Sequence, residues 1–207
     1  MTAGPASTIS APVLLTIIAG GGLLVLATAL ALRPRAGASG FGWIVVAGMG
    51  CSLLGLASPL QSPGGDGLRA GLVHLVAVLL AALLGGLSAP RRGAAETPTN
   101  ALGVAAWGCA WLTLLGFPPT VGFPAKVALY RALFGCGWGG LAALAMAASA
   151  AALVPARWGL RSRARALEGT WAAVGVLLVA LILALGLYPG PLLDLLGGMG
   201  AAAGPAG

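Results

Sequence analysis

The sequence predicts an all-α membrane protein: a polytopic bundle of about seven transmembrane segments, one of them broken by proline. Three observations lead there. The chain is 59% hydrophobic and only 7% charged, where a soluble domain carries about 25% charged residues. Its apolar residues fall into runs near the ~20 residues that a hydrocarbon core requires. One run, from Trp111 to Phe134, holds Pro118, Pro119 and Pro124 together with Lys126, the lone lysine.

In chain order, residues 1–10 are small and polar, without the basic start of a signal peptide. The first span is 11–32, ended by Arg33 and Arg35. The second is 41–56, with Trp43 near its start. A Pro-, Gly- and Ser-rich loop over 58–67 follows. The third span, 68–87, contains His74, and a polar loop with Arg91, Arg92 and Glu96 closes it. The fourth, 101–116, carries Trp107 and Trp111 four residues apart, on one helical face. The fifth, 121–134, is short. The sixth, 137–154, is alanine-rich, with Trp138 and Trp158 flanking it. The loop 157–168 is the most charged, with Arg157, Arg161, Arg163 and Arg165. The seventh span, 170–187, runs from Trp171 to Tyr188. Tryptophans near span ends fit an aromatic belt, and the Gly/Ala tail from Gly197 reads as frayed. All of this is one transmembrane domain with no soluble part.

Seven segments put the two chain ends on opposite sides. The arginine loops then tie: those at Arg33 and Arg91 face one side, that at Arg157 the other. A tie is what arises if the short fifth segment does not cross fully.

The net charge of +7 belongs to these loops, a topology signal and an attraction to anionic headgroups. No basic–aromatic interleaving points to nucleic acid. Cys51, Cys109 and Cys136 stand far apart without a C-x-x-C, which argues against clusters and zinc. One histidine and four acids are too few for a metal cage. No phosphate-binding glycine motif appears. The expectation is no cofactor in this chain, no small-molecule substrate bound directly, and contact with lipid and partner chains.

Chemistry concentrates at Lys126. A charged residue at the bilayer centre costs about 2.5–3.5 kcal/mol on insertion scales, so keeping one there implies use. The alternative is a lysine that snorkels to the interface. Proline removes a backbone donor and frees a carbonyl, tolerated in lipid only inside protein or beside a wet cavity. Pro118, Pro119, Gly122 and Pro124 therefore define a broken helix that turns inward with Lys126. Tyr130 shares the lysine's face, four residues on. It is either a bridge to water or a packing residue. His74 is a second candidate carrier, or a neutral histidine bonded to a neighbouring helix. Thr113 and Ser149 either line a wet path or bond back to their own helices. Asp194 and Glu96 read as interface or loop acids.

The stretch LTLLGFPPTVGFPAKVALYRALF resembles a signature of the antiporter-like membrane subunits of respiratory complex I. It is most similar to subunit N of NADH-quinone oxidoreductase, in a shortened form. There a helix ending Leu-x-Gly-Ile-Pro-Pro leads into Thr-x-Gly-Phe-x-x-Lys. The matching residues are Leu114, Gly116, Phe117, Pro118, Pro119, Thr120, Gly122, Phe123 and Lys126, with Phe117 in place of Ile. A second match is Gly186-Leu187-Tyr188-Pro189-Gly190-Pro191-Leu192. The likeness covers 101–195, as the last four helices of that subunit. It implies a bacterial inner-membrane subunit that contributes to proton translocation coupled to quinone reduction elsewhere. Lys126 matches the lysine of a broken helix, and the other membrane subunits of a complex I-type assembly are the implied partners. The N-terminus and the Arg157 loop would then both be cytoplasmic. The family's earlier glutamate–lysine pair has no counterpart here. A remnant without transport is therefore an alternative, as is a subunit of a membrane hydrogenase or of a multi-subunit cation/proton antiporter.

Overall fold

In lipid each backbone N–H must be satisfied within its own segment, so apolar runs become helices. The computed structural model describes residues 10–33, 39–58, 66–90, 99–161 and 164–195. Arg35, Arg91, Arg92, Glu96, Arg163, the tail from Gly197 and most of the 58–67 loop lie outside those residues. The helices are α1 (Ala11–Ala31), α2 (Ser39–Ala57), α3 (Asp66–Ser88), α4 (Ala101–Leu115), α5 (Gly122–Gly135), α6 (Gly139–Ala151), α7 (Leu153–Gly159) and α8 (Gly169–Leu187). A short helical segment over 190–195 follows α8. The fold is a polytopic helical bundle.

Hydrogen bonds sort the helix termini into two ends. At the first end, Arg165 N–H donates to Ser88 O at 3.0 Å. Asn100 caps α4 by accepting from Gly103 N–H at 2.8 Å, and its amide donates to Leu167 O at 2.8 Å. Trp107 Nε1–H donates to Gly159 O at 2.7 Å. The end of α3, the start of α4, the end of α7 and the approach to α8 therefore meet. At the second end, Cys136 Sγ–H reaches Ser58 O at 3.4 Å, and Gly55 packs between Gly71 and Leu129. There the end of α2, the start of α3 and the end of α5 meet. Helix α1 runs antiparallel to α2, with Gly50 against Gly20 and Leu24.

A topological result follows. Helix α4 starts at the first end and α5 finishes at the second, so the two make one traverse in two pieces. Five further traverses come from α1, α2, α3, the combined Gly139–Gly159 and α8, each long and apolar enough to cross alone. The fifth apolar run thus does not cross by itself. This moves the arginines: among the described residues Arg33, Arg157, Arg161 and Arg165 all fall at the first end. Arg69 and Arg131 belong to the second half of the bundle. The expected tie rested on counting α4 and α5 as two crossings. With one crossing fewer, the start of α1 and the end of α8 share a side.

The core has two parts. One gathers Phe41, Trp107, Trp111, Val73, Leu84 and Ile182, with Phe41 and Trp107 ring centroids 4.9 Å apart. The shared face of Trp107 and Trp111 is thus a core face, not part of a belt. Trp158 and Trp171, 64% and 56% exposed, are placed as belt residues would be. The second part joins α1, α2, α5 and α6 through Leu24, Leu54, Leu129, Leu133 and Ala145.

Candidate functional site

The break between α4 and α5 occupies residues 116–121. Gly116 ends α4 in the left-handed region, φ 77°, where a side chain costs about 1–2 kcal/mol. Phe117 N–H reaches back to Leu112 O at 2.9 Å, and Gly116 N–H to Thr113 O at 3.1 Å. That is a Schellman closure. Pro118 and Pro119 then carry the chain across, joined by a cis peptide. Thr120 is buried, and its hydroxyl donates to Phe117 O at 2.7 Å. Val121 N–H donates to Ile182 O of α8 at 3.1 Å. Two glycines make room: a Cβ on Gly122 would overlap Thr113 O, and one on Gly186 would overlap Pro119 O. The interruption is therefore at 116–121, and Pro124 does not break α5. It sits in the first turn of α5, where a helix needs no donor.

Lys126 rises from the second turn of α5 towards the end of α4. Its Nζ donates to Leu115 O at 3.2 Å and to Ser149 Oγ at 2.8 Å. Leu115 O is one of the carbonyls left open at a helix C-terminus. The negative end of the α4 dipole also favours a cation there. The lysine stem lies over Gly116, where a Cβ would come within 2.7 Å of its Cδ. Tyr130 Oη lies 2.8 Å from the same Ser149 Oγ. Ser149 thus joins Lys126 to Tyr130, while Arg131 on the next position is exposed.

His74 is buried, 2% exposed, with Nδ1 2.9 Å from Ser52 Oγ. The Ser52 hydroxyl also lies 3.1 Å from Gly48 O. A hydroxyl has one proton. When Ser52 gives it to Gly48 O, His74 must carry its proton on Nδ1 and donate to Ser52.

His74 and Lys126 border one cavity with Cys51, Thr113 and Ser149 among its lining. It has about 30 Å³ of room for water, enough for one or two molecules. No lining residue is acidic. Depth along α3 places the cavity: His74 lies roughly 12 Å from Asp66 and 21 Å from Ser88 at 1.5 Å per residue. The ammonium is thus well inside the bundle, away from both ends.

The structure brings Lys126, His74, Tyr130 and Ser149 to one locality. Thr113 is different, because its hydroxyl bonds back to Cys109 O at 2.8 Å. Asp194 is exposed. Sequence reasoning passed over Ser52 and Cys51. The only signal for Ser52 was a hydroxyl inside an apolar run; Cys51 offered none. Among the described residues, no three His, Cys, Asp or Glu side chains gather as a metal would require.

Comparison with known proteins adds the fold. No protein-family description matches the sequence, and no curated protein does. Among solved structures, a chain of the Mrp complex from Dietzia sp. DQ12-45-1b shares the fold over 89% of this chain, with a TM-score of 0.69 and 23% identity. The likeness therefore extends well beyond residues 101–195. The match takes in 46% of that chain, so this protein spans about half its length. The protein has the fold of a subunit from a multi-subunit membrane complex.

Proposed function

We propose that this chain is an antiporter-like membrane subunit that relays protons within a larger assembly, with Lys126 as its central carrier. One observation carries the reading. The amine stands deep in the bundle at a broken helix, held among the described residues by neutral oxygens, Leu115 O and Ser149 Oγ, beside a cavity with room for water. Among the described residues no carboxylate lines that cavity to hold the lysine permanently charged. The lysine alternates between an ammonium that donates to both oxygens and an amine that accepts. His74, on the same cavity, is the second carrier.

In this proposal the assembly is of the complex I type and couples proton transfer to quinone reduction. The Pro-Pro/Lys motif supports that assignment. Electron carriers and the quinone site then belong to partner subunits. The membrane is the bacterial inner membrane. The arginine-rich first end faces the cytoplasm by the positive-inside rule, which puts the start of α1 outside rather than inside. A second reading is a subunit of a multi-subunit cation/proton antiporter, which the fold likeness to an Mrp complex chain favours. The missing acidic partner favours a third, a remnant without transport.

The test is Lys126→Ala in the native assembly, with proton flux followed by a pH-sensitive dye in sealed vesicles. The expected loss is about 100-fold or more, the scale of a positioned proton-transfer group. Normal co-purification with unchanged flux leaves the remnant. The subunits that co-purify, and whether quinone reduction or a sodium gradient drives the flux, separate the first two readings.

A further inference from the structure

We infer that Ser149 is the relay through which the proton on Lys126 leaves, passing to Tyr130 and towards the second end of the bundle. This rests on Lys126 as a carrier and adds the route.

Among the described residues, several helix hydroxyls return to their own helices. Thr16 bonds to Pro12 O, Ser52 to Gly48 O, Ser88 to Leu84 O and Thr113 to Cys109 O, each four residues back. That is the default for a hydroxyl in an apolar helix. Ser149 stands in the alanine-rich α6, with the same option available. Its oxygen instead accepts a hydrogen bond from Lys126 Nζ at 2.8 Å and meets Tyr130 Oη at 2.8 Å. No direct bond joins Lys126 to Tyr130 among those described, so Ser149 is the link. It also borders the cavity.

The protons can be counted. An ammonium has three. One goes to Leu115 O and one to Ser149 Oγ, leaving one for water in the cavity. Release breaks the N–H bond to Ser149 and puts that proton on Oγ. The proton already on Ser149 moves to Tyr130 Oη, and the proton of Tyr130 passes to water. One proton has left, Lys126 is a neutral amine, and both hydroxyls keep one proton each. They rotate back before the next transfer, while the amine reloads from the cavity side. Tyr130 lies one turn nearer than Lys126 to the end of α5, where Cys136 meets Ser58. The route therefore points away from the arginine-rich end.

Ser149→Ala, Ser149→Thr, Tyr130→Phe and Lys126→Ala are compared in the native assembly, with co-purification as the check on folding. Ser149→Ala and Tyr130→Phe should each lower proton flux about tenfold or more. The double variant should be no worse than Ser149→Ala alone, and Ser149→Thr should recover most of the flux. Flux through Ser149→Ala should also slow further in heavy water than wild-type flux does, which lost packing would not cause. Wild-type flux in Ser149→Ala with Lys126→Ala inactive overturns the route and leaves the carrier. Wild-type flux in Lys126→Ala overturns the carrier itself. If Ser149→Ala fails to assemble, Tyr130→Phe decides, and wild-type flux there overturns the route.

Discussion

Two traverses of this bundle are interrupted, and the candidate site lies at one of them. In the α6–α7 traverse, Pro155 supplies no donor, so the carbonyl of Ala151 loses its helical partner. Little else changes. Ala152 keeps helical angles, φ −63° and ψ −17°, and the bonds Ala152 N–H to Ala148 O and Ala156 N–H to Ala152 O continue at 3.0 and 3.1 Å. In the α4–α5 traverse residues 116–121 leave the helix altogether. A helix C-terminus opens inside the protein, α8 closes on the turn, and a lysine fills the vacancy at Leu115 O. A proline bends a rod; a site needs a true terminus, with open carbonyls and room for a cation.

The comparison can be broken or sharpened by substitution. The largest effect is expected at Gly186, where α8 lies against the break. Gly186→Leu would drive a side chain into Pro119 O and the backbone beyond it. Thermal unfolding in detergent should show a loss of about 3 kcal/mol, the upper range for overpacking, together with lost proton flux. Gly116→Ala comes next. The left-handed φ of 77° should cost about 1–2 kcal/mol. Its new Cβ, 2.7 Å from the Lys126 Cδ, should displace the amine and cut flux more than the stability loss explains. Equal falls in the amount of folded protein and in flux would mean that the turn does not position the lysine. Asn100→Ala removes the cap at the far end of the same traverse. It should cost about 1 kcal/mol and leave the flux per folded complex intact. Pro155→Ala should be smallest, under about 1 kcal/mol either way, with flux unchanged. A flux defect there would make the two interruptions functionally alike and erase the distinction.

The helical class was legible because lipid allows few alternatives and the apolar runs are long. Lys126 and the Pro-Pro pair were legible because each violates the composition around it. What the sequence did not disclose depends on where helix ends meet. Pro124 reads as a break until its place in the first turn of α5 is known. Trp107 and Trp111 share a face, but only the seat of Phe41 against both rings makes that face a core. The segment count could not be read from run lengths, because α4 and α5 are two pieces of one traverse. The meeting of His74 with Lys126 around one cavity joins α3 and α5, far apart in the chain. No local spacing encodes it.

Helix α8 has a further bearing. It turns most of its surface outward, with Trp171, Val176, Leu177 and Leu187 all more than half exposed. Its innermost contact is the bond from Val121 N–H to Ile182 O, fastened to the hinge beneath the amine. The outermost rod and the deepest charge are therefore links in one mechanical chain. Whatever seats against that rod, a neighbouring subunit or lipid, sits one bond away from the turn at which the lysine's helix begins.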